Sequence, residues 1–132
     1  MSVLVDTSVW SLALRRARAT SSPYAARLAD LVRDGEIVLI GPIRQEILSG
    51  IPNRAQFVRL RDHLASFPDL PLQTDDLVRA AEHANTCRAR GIQGSSTDFV
   101  ITAISERYDL DILTTDRDFE GFARVLPIRL VG

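Results

Sequence analysis

Asp6, Glu46, Asp98 and Asp116 each stand where an expected strand gives way to a helix. Asp6 ends the apolar run Val3-Leu4-Val5 and is followed by Thr7-Ser8. Asp116 ends Ile112-Leu113-Thr114-Thr115. Open α/β sheets place their ligands outside the C-terminal ends of their strands. Two carboxylates about 4 Å apart repel by roughly 1–4 kcal/mol, depending on the local dielectric. A shared cation removes that repulsion, and an all-oxygen ligand set suits Mg²⁺ or Mn²⁺. Such an ion lowers the pKa of a bound water and stabilises charge on a phosphate and its leaving oxygen. The chemistry implied is metal-dependent attack on a phosphate ester.

Taken singly, each acid has a plainer reading. Asp6 can end a strand and cap a helix. Glu46 flanks the buried stripe of Ile43 and Ile47 and can face solvent. Asp98 in a first helical turn complements the helix dipole. Asp116-Arg117-Asp118 can be a solvated turn. The set carries more weight than its members, because in a parallel sheet these four points meet at one rim. Asp118 is the ambiguous fifth acid, able to replace or assist Asp116, and ranks second to it.

Strand and helix signals alternate from end to end. Val3 to Asp6 reads as a buried strand, and Thr7 opens a helix through Trp10, Leu12 and Leu14 to about Arg18, with Trp10 and Leu14 on its buried face. Ser22-Pro23 caps a helix carrying Leu28, Leu31 and Val32, which stops at Gly35. Glu36 to Ile40 is a second apolar strand. Gly41-Pro42 begins a short helix ended by Gly50 and Pro52. Asn53 caps a helix with Phe57, Leu60, Leu64 and Phe67. Pro68 to Leu72 reads as a weak edge strand, since its two prolines limit pairing. Thr74 caps a helix from Asp75 to Arg90, closed by Gly91. The loop 94–97 opens another helix, buried through Val100, Ala103 and Ile104. Asp111 to Thr115 is a strand, a short helix follows near Phe119 and Phe122, and Ile128 to Val131 is the last strand. This alternation implies right-handed βαβ crossovers and a mostly parallel sheet, in which Val3-Leu4-Val5 and Ile37 to Ile40 are apolar throughout, as central strands are.

The 132 residues form one domain, 1–132, and 45% hydrophobic content supports an ordinary globular core. No apolar run reaches the length of a membrane span, and the N-terminus reads as a strand and not a signal peptide. The single cysteine, Cys87, excludes an internal disulfide, fits a cytoplasmic protein and belongs in or near the core. The formal net charge of −1 does not advertise a nucleic-acid binder, although all sixteen basic residues are arginine. Arg15, Arg16 and Arg18, and then Arg88 and Arg90, form clusters suited to phosphate contact, although codon bias is the favoured explanation for the absence of lysine. His63 and His83 lack metal-type spacing and fit surface or packing roles. Neither a phosphate-binding glycine loop nor a Ser/His or Cys/His pair for covalent catalysis is present.

Val-Leu-Val-Asp6-Thr-Ser-Val-Trp resembles the opening of the PIN domain ribonucleases. Glu46 after the second strand, Thr97-Asp98-Phe-Val-Ile-Thr-Ala, and Leu113-Thr-Thr-Asp116-Arg-Asp118-Phe119 match the other three motifs in order, across the whole chain. The resemblance is to the small VapC-type toxins of VapBC toxin–antitoxin pairs. It implies a single-domain parallel-sheet α/β/α sandwich. It implies an endoribonuclease with Mg²⁺ or Mn²⁺ held by Asp6, Glu46, Asp98 and Asp116, with Thr7 and Thr115 orienting that shell. It further implies an RNA substrate, a homodimer and a cognate antitoxin partner. A catalytically inactive, partner-binding relative is the main alternative. A signalling receiver domain needs a rim lysine that this chain lacks. A dehalogenase-type phosphatase needs an aspartate where Ser8 stands, and the same lysine.

Overall fold

The computed structural model describes residues 2–15 and 22–131, with the backbone alone at residue 15. Its elements, in chain order, are β1 (Val3–Val5), α1 (Thr7–Arg15), α2 (Pro23–Arg33), β2 (Ile37–Val38), α3 (Gly41–Ser49), α4 (Arg54–Leu64), α5 (Thr74–Ala89), α6 (Ser96–Tyr108), β3 (Asp111–Leu113), α7 (Asp118–Val125) and β4 (Arg129–Leu130). The sheet is parallel, in the order β2-β1-β3-β4. From β1 the chain crosses toward β2, whereas from β3 it crosses toward β4. The winding therefore reverses between the two central strands, and a crevice opens outside their carboxyl ends. The register pairs Val5 with Leu113, so Asp6 stands beside Thr114 at that crevice.

Packing explains this order. Leu4, Val5 and Ile112 are fully buried, as strands covered on both sides must be. β2 is the correction: it lies at the edge of the sheet, with Ile37 and Val38 half-buried, and is extended only by a bridge from Leu39 to Asp69. The expected strand over 68–72 reduces to that bridge, in keeping with its two prolines. On α1, Trp10 is buried, but Leu14 is 40% exposed and Val32 of α2 is 37% exposed, so neither belongs to the core. The expected end of α1 near Arg18, and the Arg16 and Arg18 cluster, lie outside the described residues, as does the Arg15 side chain.

Local signals set the helix ends. Ser22 accepts the Tyr24 and Ala25 N–H groups, and Asn53 accepts that of Gln56. α5 begins at Thr74, one residue before the expected start, and the buried Asp76 accepts the Gln73 N–H at 2.8 Å. Gly91, at φ +75°, ends this helix in the left-handed region. No helix among the described residues is long and apolar enough to cross a membrane.

α5 and α6 are joined by a polar chain that runs from the buried His83 and Thr102 out to the surface. His83, 2% exposed, sets Nδ1 2.8 Å from Thr102 Oγ1 and Nε2 2.9 Å from Glu106 Oε1, and Arg79 donates to both Glu106 oxygens. Burial lowers the His83 pKa below its usual 6.5, against the pull of Glu106, and Arg79 lowers that of Glu106. Neutral His83 with its proton on Nε2 donates to Glu106, while Nδ1 faces the Thr102 hydroxyl, which itself donates to the Phe99 carbonyl at 2.9 Å. The unfolded chain binds the histidine proton more readily than the folded one. The contribution of His83 is thus complete above about pH 6.5 and is lost as pH falls below it. Urea titrations are expected to show a lower midpoint at pH 5.5 than at pH 7.5, with the difference reduced in His83→Gln. An equal pH slope in both proteins would remove His83 as its source.

Candidate active site

Asp6 leaves the end of β1 and is 6% exposed. Its Oδ2 accepts the hydroxyls of Ser8 and Thr114, both at 2.8 Å. Those hydroxyls also accept backbone protons, Ser8 from Thr115 N at 3.0 Å and Thr114 from Asp116 N at 2.9 Å. Two side chains thereby tie the end of β1 to the turn after β3. Asp116 Oδ1 in turn accepts the Asp118 N–H at 2.9 Å. Glu46 projects from α3, where Thr7 donates to its Oε1 at 2.6 Å. Asp98, in the first turn of α6, accepts the Ser95 N–H at 2.9 Å, while Ser95 Oγ accepts the Asp98 N–H at 3.1 Å. This reciprocal cap fixes the loop and the acid together.

Asp6, Glu46, Asp98 and Asp116 line one cleft of about 650 Å³, with six neutral residues and no arginine among the described residues. Asp118 starts α7, is exposed and stands outside that lining. Burial raises the Asp98 pKa, opposed by the Ser95 N–H and reinforced by repulsion from Asp6 and Asp116. Each of the four carboxylates gives one oxygen to a protein donor. The other has no hydrogen-bond partner among the described residues.

Four carboxylates that offer only oxygen ligands, with no cationic side chain among the described lining residues, suit a hard divalent cation. No three Asp, Glu, His or Cys groups among the described residues stand close enough together to grip one ion. An ion of the Mg²⁺ type does not need three, since it retains several waters and takes one or two carboxylates directly.

Thr7 holds Glu46, and Thr115 contributes its N–H to Ser8 while its side chain has no hydrogen-bond partner among the described residues. Ser8 and Thr114 are the hydroxyls that hold Asp6. The sequence signal for them is position, two residues after Asp6 and two before Asp116. Arg88 donates to Asn85 on its own helix, and neither it nor Arg90 lines the cleft. Ser8→Ala removes a donor to a nearly buried carboxylate and an acceptor for Thr115. It is expected to cost about 1–3 kcal/mol in urea unfolding, with reduced activity. Unchanged stability and activity would mean that Ser8 holds nothing that matters.

Similarity to known proteins agrees with this geometry. The PIN domain profile matches residues 3–125. The chain is 30% identical over 133 aligned positions, covering 96% of both proteins, to VapC ribonuclease Mb1587 of Mycobacterium bovis and to ribonuclease VapC11 of Mycobacterium tuberculosis. In fold it is similar to a chain of FitAcB from Neisseria gonorrhoeae, with a TM-score of 0.74, 20% identity and coverage of 98% and 96% of the two chains. It is similar too to a chain of VapBC2 from Rickettsia felis bound to a promoter DNA fragment, with a TM-score of 0.74, 14% identity and coverage of 99% and 98%. A profile that runs through β1, β3 and every acid of the cleft, with relatives alike from end to end, allows one assignment: the chain belongs to the PIN domain family.

Proposed function

We propose that this chain is a metal-dependent endoribonuclease and the toxin of a type II toxin–antitoxin pair. The observation that carries the reading is the cleft at the switch point, which gathers four carboxylates with no cationic side chain among its described lining residues. The ribonuclease names of its relatives and the VapBC2 complex among its structural neighbours support it. Asp6, Glu46, Asp98 and Asp116 would hold Mg²⁺ or Mn²⁺, which when bound supplies water activation and stabilises charge on the phosphate. The protein's own part is positioning. Ser8 and Thr114 hold Asp6, Thr7 holds Glu46, and Ser95 holds Asp98. An RNA phosphodiester enters the cleft and water attacks the phosphorus in line. The bond to the 3′ oxygen breaks, leaving a 3′-hydroxyl on one strand and a 5′-phosphate on the other.

The same reading assigns a homodimer and a cognate antitoxin, a segment of which covers the cleft with an arginine near the acids, because an unfilled acidic pocket attracts a cation. The test is cleavage of single-stranded RNA by the purified chain. Activity is expected in Mg²⁺ or Mn²⁺ and not in EDTA, with metal raising the melting temperature through linkage. Growth is expected to arrest when the chain is expressed without its antitoxin. A protein that binds its antitoxin but cleaves no RNA in either metal is instead the inactive, partner-binding relative.

A further inference from the structure

The neutral residues of the cleft divide by whether their polar groups are already engaged. Thr7 donates to Glu46 and Ser8 to Asp6, Ser49 donates to the Gln45 carbonyl at 2.7 Å, and Pro42 has no donor. Two side chains remain: the Gln45 amide on α3 and the Thr97 hydroxyl in the first turn of α6. Neither has a hydrogen-bond partner among the described residues, although both line the cleft. Around them stand four carboxylates, which when ionised accept hydrogen bonds and donate none. A strand of RNA brings phosphate oxygens, 2′-hydroxyls and base edges that require donors as well as acceptors. Within this lining, the side-chain donors not already engaged belong to Gln45 and Thr97.

We infer that Gln45 and Thr97 are the specificity-determining residues of the cleft, holding the single-stranded nucleotides that flank the scissile phosphate. Gln45 has the more selective chemistry. Its amide presents a donor and an acceptor side by side, the pattern that reads a base edge bidentately. Single-stranded RNA exposes such edges, whereas in an A-form duplex they are withdrawn into a deep, narrow groove. Gln45 is adjacent to Glu46 in sequence, so a base held by the amide sits close to the acids. Thr97 is adjacent to Asp98, and its hydroxyl supplies a donor from the α6 side to phosphate or ribose oxygens. The inference rests on the nuclease reading above and adds which residues select the substrate.

The test pairs cleavage with binding for wild type, Gln45→Ala, Thr97→Val and Thr97→Ser. Cleavage sites on a random-sequence single-stranded RNA pool are read by end sequencing in Mg²⁺ or Mn²⁺. Binding of labelled hexanucleotides is read by anisotropy in Ca²⁺. Gln45→Ala is expected to flatten the base preference at one position beside the cut by about fivefold to a hundredfold. Its KM should rise more than its kcat falls, because a contact made equally in the ground and transition states has been removed. Thr97→Val should weaken hexanucleotide binding with little change in base preference, and Thr97→Ser should restore it. A merely structural role would lower melting temperature and leave the base preference as it was. A wild type that cleaves RNA, with the same preference and KM in Gln45→Ala and Thr97→Val, overturns this inference and leaves the nuclease reading standing. A wild type that neither cleaves nor binds RNA overturns both.

Discussion

Asp6→Asn is expected to lower RNA cleavage by about a hundredfold or more while leaving the fold intact. Asparagine keeps the shape of the side chain, and its carbonyl oxygen can still accept from Ser8 and Thr114, the two donors on Asp6 Oδ2. What changes is the other position, where an oxygen without a partner among the described residues becomes an amide that cannot hold a cation. The simpler role for Asp6, as a helix cap, predicts the opposite pattern of mild destabilisation with activity kept. The hydrogen bonds already weigh against it. The Asp6 carboxylate accepts from two hydroxyls and from no backbone N–H of α1, and α1 starts instead on the Asp6 carbonyl, which accepts from Val9 N at 3.0 Å. Removing one of four clustered charges also relieves repulsion, so without metal the variant should melt at or above the wild-type temperature. The measurement is cleavage and melting in EDTA, Mg²⁺ and Mn²⁺, side by side. Full metal-dependent cleavage by Asp6→Asn would falsify the assignment of Asp6 to the metal shell.

The acids were legible in sequence because strand ends are. An apolar run that stops at an aspartate, as at Val5-Asp6, marks the rim of a sheet whatever the rest of the chain does. Two such runs in a parallel sheet bring their ends together. The hydroxyl ties were not legible. Thr7, Ser8, Thr114 and Thr115 are equivalent candidates on paper, and only the register of Val5 with Leu113 decides that Thr114 reaches Asp6 while Thr115 does not. Helical spacing placed Trp10 in the core correctly, but Leu14, one turn on, is exposed. A period tells which residues share a face, not where a neighbouring element stops covering it. The same limit applies to Ile37 and Val38, which read as a central strand and stand half-buried at an edge, because apolar composition shows that a strand is at least partly covered, not how many strands flank it. His83 had no signal at all. Its partners Thr102 and Glu106 lie on the next helix, and only the packing of α5 on α6 aligns them.

Phe122→Ala is expected to be among the most destabilising single truncations in this chain, costing about 3–5 kcal/mol. Domains of this kind have a total stability of roughly 5–15 kcal/mol, so the loss is a large fraction of it. Phe122 is fully buried on α7, with its ring edge-on to Phe119 at 5.0 Å and tilted against Phe99 at 5.1 Å. It also supports the loop that leads into α6. A Cβ built on Gly94 would stand 2.5 Å from Phe122 Cζ and 3.0 Å from Phe99 Cζ, so the bare glycine lets the loop lie directly on the two rings. Ser95 follows at once and caps Asp98. Truncation of Phe122 therefore removes the floor under one wall of the cleft, and cleavage should fall even at temperatures where the variant remains folded. Gly94→Ala alone should also destabilise, because its methyl group has no room. In the Phe122→Ala background the same methyl enters the space left by the ring, so the two losses should be less than additive, with a coupling of about 0.5–3 kcal/mol. Urea unfolding of the four proteins in that cycle measures it. Strict additivity would mean that the loop does not rest on Phe122, and would leave the position of Asp98 to the Ser95 cap alone.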